Sequence, residues 1–185
     1  MRNHISFKKV MYIISFMSTL LTIILFTANN FISSGILLTL AVTSMTFAYH
    51  FVIRLIIGYI IPLFKGKINV NSRHFKVSET EKNIYKKLKV KNWKSKVPTY
   101  NPDEFDIKKN SIQQLIINCC NSEIVHTINI FASYIPILFS IWFGSLPVFI
   151  ITSVLASIYD LQFVVLQRYN RPRLIKSAHR KGENL

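Results

Sequence analysis

The chain is 185 residues long, half of them hydrophobic and only 17% charged, with 23 Lys+Arg against 8 Asp+Glu. That composition excludes a disordered, solvated chain, which needs few apolar residues and many charges. The apolar residues come in long blocks, not at amphipathic spacing, so the formal net charge of +15 points to a membrane-bound protein in preference to a nucleic-acid binder. The two cysteines, adjacent at Cys119 and Cys120, cannot build a disulfide framework. Neither zinc-type Cys/His spacing nor a Gly-rich phosphate loop occurs.

From Val10 to Ile53 there is no Asp, Glu, Lys or Arg. A bilayer span takes about 20 apolar residues, so this stretch holds two spans with a tight break. Asn29-Asn30 is the expected break, giving spans at about 10–28 and 31–51. The first is read as a span and not as a cleaved leader, because its apolar core is long and no A-x-A site follows. Apolar character continues to Phe64 through Arg54, Gly58 and Pro62, which reads as a short in-plane or re-entrant helix. A second block, Ile124 to Leu166, is divided at Gly144-Ser145-Leu146-Pro147 into spans at about 124–143 and 147–167. The expected architecture is an all-α integral membrane protein, a single membrane domain over 1–185 with about four transmembrane helices in two hairpins. A basic cytoplasmic amphipathic segment, 65–122, lies between the hairpins.

Orientation follows from the cations. Arg2, Lys8 and Lys9 precede the first span, thirteen Lys/Arg lie in 65–122, and six lie from Arg168 onward, while the two hairpin turns hold none. The N-terminus, the middle segment and the tail 168–185 are therefore expected on the cytoplasmic side of a bacterial cell membrane, with membrane lipids as partners. Within the middle segment, Ser78 can cap a helix with Glu81 at the capping-box position. Ile84, Tyr85, Leu88 and Val90 give that helix an apolar stripe, and Lys82, Lys86, Lys87, Lys89 and Lys91 cover its other side. Such a helix lies in the headgroup plane. Trp93-Lys94 forms an interfacial pair, 98–102 a turn, and Ile112, Leu115, Ile116 and Cys119 a stripe leading into the third span.

Ionisable residues in or beside spans are costly and call for a reason. His50 and Arg54, at i,i+4 spacing, share a helical face, as do Glu123 and His126 at i,i+3. Arg168, Asn170, Arg171 and Arg173 follow the fourth span, and Asp160 lies about two turns before Arg168. Each has a plainer reading: His50 as a packing residue, Arg54 as a cation reaching phosphates, Asp160 as the partner of an arginine. Glu123 and His126 form the sharpest pair, since a carboxylate beside an imidazole fixes its tautomer and raises its basicity. A single E-x-x-H does not make a di-metal bundle, so no metal is expected. A histidine base among arginines at the inner surface suits acyl transfer to a lipid hydroxyl, with the cations holding an oxyanion or phosphates. No G-x-S-x-G elbow supplies a nucleophile, so direct transfer fits better than a covalent intermediate.

The run Val165-Leu166-Gln167-Arg168-Tyr169-Asn170-Arg171-Pro172-Arg173-Leu174 closely resembles the end of the glycosyl-4,4'-diaponeurosporenoate acyltransferase family of staphyloxanthin assembly. Phe75 to Lys94, Glu123-Ile124-Val125-His126 and the apolar arms after it agree in the same order, over roughly 70–182. The resemblance implies an integral membrane transferase of carotenoid biosynthesis that esterifies a carotenoid glucoside with a fatty acyl group. By analogy it makes Glu123, His126, Arg168, Asn170, Arg171 and Arg173 the leading site positions, followed by Trp93 and Lys94. The chain departs from the family at its N-terminal end, where it has an extra span and the His50/Arg54 element.

The resulting expectation is a membrane acyltransferase with His126 as base and Glu123 orienting it. Arg168, Asn170, Arg171, Arg173, Arg54, His50, Trp93 and Lys94 would bind substrate. The acceptor is a lipid or carotenoid-glycoside hydroxyl, and the donor an acyl thioester of CoA or an acyl carrier protein, with no other cofactor and no nucleic acid. Two alternatives stay open: a non-catalytic membrane scaffold or subunit, and a small membrane lipid enzyme of another class, methyltransferase- or reductase-like.

Overall fold

The computed structural model describes residues 7–182. The described residues are helical or irregular, with no strand among them. The helices are α1 (Phe7–Ile32), α2 (Gly35–Ile60), α3 (Glu79–Lys87), α4 (Val90–Trp93), α5 (Ile112–Ala132), α6 (Ser140–Phe143) and α7 (Leu146–Arg180). Short 3-10 turns extend α2 through Ile61–Lys67 and join α5 to α6 through Ile135–Phe139. Four stretches are long and apolar enough to cross a membrane: Phe7–Ile32, Gly35–Lys67, Ile112–Phe143 and Leu146–Arg180.

The break between the first two stretches differs from the sequence expectation. α1 runs through Asn29 and Asn30, and the chain turns at Ser33, which adopts φ +48°. The Ser33 N–H closes the last helical turn on the Asn29 carbonyl at 2.8 Å. Polar side chains alone do not stop a helix whose backbone bonds can still be made; a left-handed residue does. The second break falls where expected, at Gly144 (φ +67°) and Ser145 (φ +54°). The third stretch begins twelve residues before the expected 124, and α7 continues through Pro172 to Arg180, well past 167. Hydropathy marks what tolerates lipid, and these helices extend beyond that.

The chain forms two compact units, Met1–Gly58 with Asn129–Ile158, and Tyr59–Ile128 with Tyr159–Leu185. In the first unit α1 and α2 meet through small polar residues. Thr22 Oγ1 donates to Ser44 Oγ at 3.0 Å, and Ser44 Oγ donates to the Ser18 carbonyl at 3.2 Å. Ser15, Ala41 and Ala48 are buried in the same unit, while Phe16, Phe31, Ile36 and Phe47 face outward. Helices in lipid gain little from burying leucine against leucine, so close approach through small residues with satisfied hydroxyls is the stable solution. Tyr49 Oη caps the end of α5 by donating to the Ala132 carbonyl at 2.9 Å.

In the second unit the middle segment packs as the sequence anticipates at its start. Ser78 Oγ accepts from the Glu81 N–H at 3.2 Å, and Glu81 Oε2 accepts from the Ser78 N–H at 3.0 Å, a complete capping box. The expected apolar stripe divides: Tyr85 and Val90 are buried, Ile84 and Leu88 exposed. Lys89, at φ +49°, turns the chain between α3 and α4. The stripe before the third span holds, with Leu115, Ile116 and Cys119 all buried.

Candidate active site

The site belongs to the second unit and is built on one face of α7. Asp160, Phe163, Gln167 and Arg171 recur at three- and four-residue spacing and are all buried. Against them α5 brings Glu123 and, one turn later, His126.

His126 does not pair with Glu123. Its Nδ1 lies 2.8 Å from Oδ1 of Asp160, whose side chain is fully buried. The imidazole stacks on Phe163, with centroids 4.3 Å apart and planes 7° from parallel. A carboxylate at Asp160 takes the Nδ1–H, leaving the lone pair on Nε2. Nε2 has no hydrogen-bond partner among the described residues, and the side chain keeps 20% of its exposure. The imidazole is thus fixed in tautomer and in plane, with one nitrogen open. Asp160 supplies the orienting carboxylate that spacing assigned to Glu123.

Glu123 is 1% exposed and serves two arginines instead. It accepts from Arg168 Nη1 at 2.6 Å and from Arg171 Nη1, and Arg171, also 1% exposed, donates its other Nη2 to the Phe75 carbonyl. Arg168 grips Glu81 with two bonds, from Nε at 2.7 Å and Nη2 at 3.1 Å, and also donates to the His74 and Lys76 carbonyls at 3.0 and 3.2 Å. All five N–H groups of its guanidinium are therefore occupied. Arg168 and Arg171 tie 74–76 and α3 to α5 and α7; neither offers a free donor fork to an incoming anion. The Arg168 guanidinium holds the Glu81 carboxyl down to about 2, and burial with the bond to Glu81 pushes the Tyr85 phenol up to about 12.

The remaining expected residues fall into two groups. Arg173 lies on the Tyr169 ring, 3.5 Å from its centroid, and Lys94 Nζ approaches the same ring to 5.6 Å. Trp93 Nε1 donates to the Leu88 carbonyl at 3.1 Å and lines a cleft with Lys96, Val97, Pro98 and Gln162. Asn170 is half-buried beside them in sequence. His50 and Arg54 belong to the first unit. There Arg54 turns inward, donating to the His50 carbonyl at 2.5 Å, to Ser133 Oγ at 3.2 Å and to the Ala156 carbonyl at 3.0 Å. The His50 ring stands edge-on to Tyr49.

Sequence reasoning missed the roles of Asp160, Glu81 and Tyr169, and missed His74, whose Nε2 is 3.6 Å from Glu123 Oε1. For Asp160 the signal was present, as the lone acid of an apolar block. For Glu81 the capping box accounted for the residue fully and hid its second partner. Among the described residues no three His, Cys, Asp or Glu side chains group as a metal site would require.

A family model described as glycosyl-4,4'-diaponeurosporenoate acyltransferase matches residues 68–180, more than half of the chain. The chain belongs to this family. The match contains Glu81, Trp93, Lys94, Glu123, His126, Asp160 and the arginines of α7, and leaves out α1, His50 and Arg54. The family's name implies an acyltransferase in carotenoid biosynthesis. Searches of curated proteins and of solved structures gave no match.

Proposed function

We propose that the protein is a membrane acyltransferase that moves a fatty acyl group from a thioester to a hydroxyl of a lipid or glycosylated carotenoid. The observation that carries this reading is the His126–Asp160 pair with its open Nε2. In the step, the acceptor oxygen attacks the thioester carbonyl while Nε2 of His126 takes the hydroxyl proton. The tetrahedral intermediate collapses, the carbon–sulfur bond breaks, and the thiolate leaves with the proton that His126 carried. Ester and free thiol are the products, and His126 returns neutral. Asp160 holds the ring and stabilises the transient imidazolium. Glu123, Arg168 and Arg171 keep the surrounding wall in place.

We place the reaction at the cytoplasmic face of a bacterial cell membrane. The helices would cross as two hairpins with both chain ends inside, since Lys and Arg concentrate in 65–122 and from Arg168 onward and avoid the two turns. Of the N-terminal cations, Arg2 lies outside the described residues. Exposed Ile84 and Leu88 next to exposed Lys87 and Lys91 suit a segment resting on anionic headgroups.

The test is labelled acyl-CoA with membranes carrying the wild-type protein or His126→Ala. Loss of ester product from a normally inserted variant is expected, and undiminished product removes the mechanism. Reporter tags at both ends check the orientation; ends on opposite faces would sink it.

A further inference from the structure

Three arginines share the stretch 168–173, yet they are not equivalent. Arg168 and Arg171 are neutralised by Glu81 and Glu123. Arg173 is exposed and has no carboxylate partner among the described residues; its one bond is a long donation to the Tyr169 carbonyl, 3.4 Å. Lys94 and Lys96 likewise have no carboxylate partner among the described residues. Arg173 and Lys94 both sit against Tyr169, whose ring also meets the edge of Tyr85.

Beside this cationic cluster lies the cleft of about 370 Å³ lined by Trp93, Lys96, Val97, Pro98 and Gln162. Gln162 and Tyr169 are seven residues apart on α7, so cleft and cluster occupy one helix face. At 3.6 residues per turn that face lies about 145° around α7 from the Asp160–Arg171 face. The position lies on nearly the opposite side of α7 from the dyad and is not part of it. Its chemistry is three uncompensated cations, a flat apolar wall from Trp93 and Pro98, and one amide. Cations without partners attract phosphate, and an indole offers a stacking surface for a heteroaromatic base. The depression is open to solvent, and it can hold a nucleoside-sized group against Trp93 but not a whole lipid.

We propose that Lys94, Lys96, Arg173 and the Trp93 cleft bind the phosphorylated nucleotide end of a coenzyme A thioester. The proposal rests on the acyl-transfer reading and names its donor. A long pantetheine arm bridges the distance around α7, so the nucleotide need not touch His126.

The experiment is calorimetric binding of free coenzyme A to the full-length protein in nanodiscs of phosphatidylcholine. Saturable binding that weakens as salt is raised is expected, and so is an increase in Kd of about tenfold or more for Lys94→Gln/Arg173→Gln, in line with the loss of charge-assisted bonds. His126→Ala should bind as the wild type does. Unchanged affinity in the double variant, or salt-independent binding by the wild type, overturns the site and leaves the transfer reading standing. Full product from His126→Ala with coenzyme A still bound removes the transfer mechanism and leaves the site. Absence of coenzyme A binding overturns the proposal, whether or not a holo acyl carrier protein binds in its place.

Discussion

Asp160 Oδ1 and His126 Nδ1 stand 2.8 Å apart, and Asp160 has no exposure to solvent. This makes the aspartate a positioning residue for the imidazole. In Asp160→Asn the amide can donate to Nδ1, which favours the tautomer with its proton on Nε2, the wrong nitrogen for a base. A fall in kcat of about 10³–10⁴ with little change in KM is expected, by comparison with the aspartate of a Ser-His-Asp arrangement. Steady-state kinetics with a labelled acyl donor measure it. A variant that keeps full activity would contradict the assignment.

Glu123 makes the opposite prediction, a large effect on folding. It is the buried counter-charge of Arg171 and the second partner of Arg168. Glu123→Ala leaves the Arg171 guanidinium enclosed without a carboxylate. Removing one member of a buried ion pair costs about 3–5 kcal/mol. Denaturant unfolding in detergent should show a loss of that size, whereas Glu79→Gln, on the exposed side of α3, should show almost none.

The difference between Glu123 and His126 shows what the sequence could and could not convey. Their i,i+3 spacing correctly placed them on one face of α5, because helical periodicity is local. Which of them would take which distant partner depends on how α7 lies against α5, and spacing carries no such information. The same holds for the arginines of α7: the run marked an unusual place, but only three-dimensional neighbours distinguish the neutralised Arg168 and Arg171 from the open Arg173. Local devices were legible, as with the Ser78 capping box and the Gly144 break. Asn29-Asn30 misled because asparagine is a good turn residue in water, and here a serine three residues later takes the left-handed conformation instead.

Glu81 sets a pH dependence. Its carboxyl is held at about 2 by Arg168, below the ordinary 4.5. A lowered folded-state value stabilises the fold above the ordinary value and loses that contribution as pH falls toward about 2. The melting temperature should therefore be insensitive to Glu81 from neutral pH to about 5 and fall below it. Glu81→Gln should be less stable than the wild type at neutral pH, with the difference shrinking as the pH drops from about 4.5 to 2. A difference that stays constant over that range would place the stabilisation elsewhere.

Lys89 offers a substitution that should strengthen the chain. It adopts φ +49°, ψ +41°, the left-handed conformation that costs a residue with a Cβ about 1–2 kcal/mol. Glycine has no such penalty but loses more chain entropy on folding, about 0.5–1 kcal/mol. Lys89→Gly should therefore gain up to about 1 kcal/mol and raise the melting temperature slightly. Lys87→Gly removes the same charge at the last residue of α3, where the backbone is unstrained and glycine only adds unfolded-chain entropy, about 0.4–1 kcal/mol, and should lower it. Opposite signs from two lysines two positions apart would trace the effect to backbone conformation, since both variants change the local charge equally; equal shifts would trace it to charge.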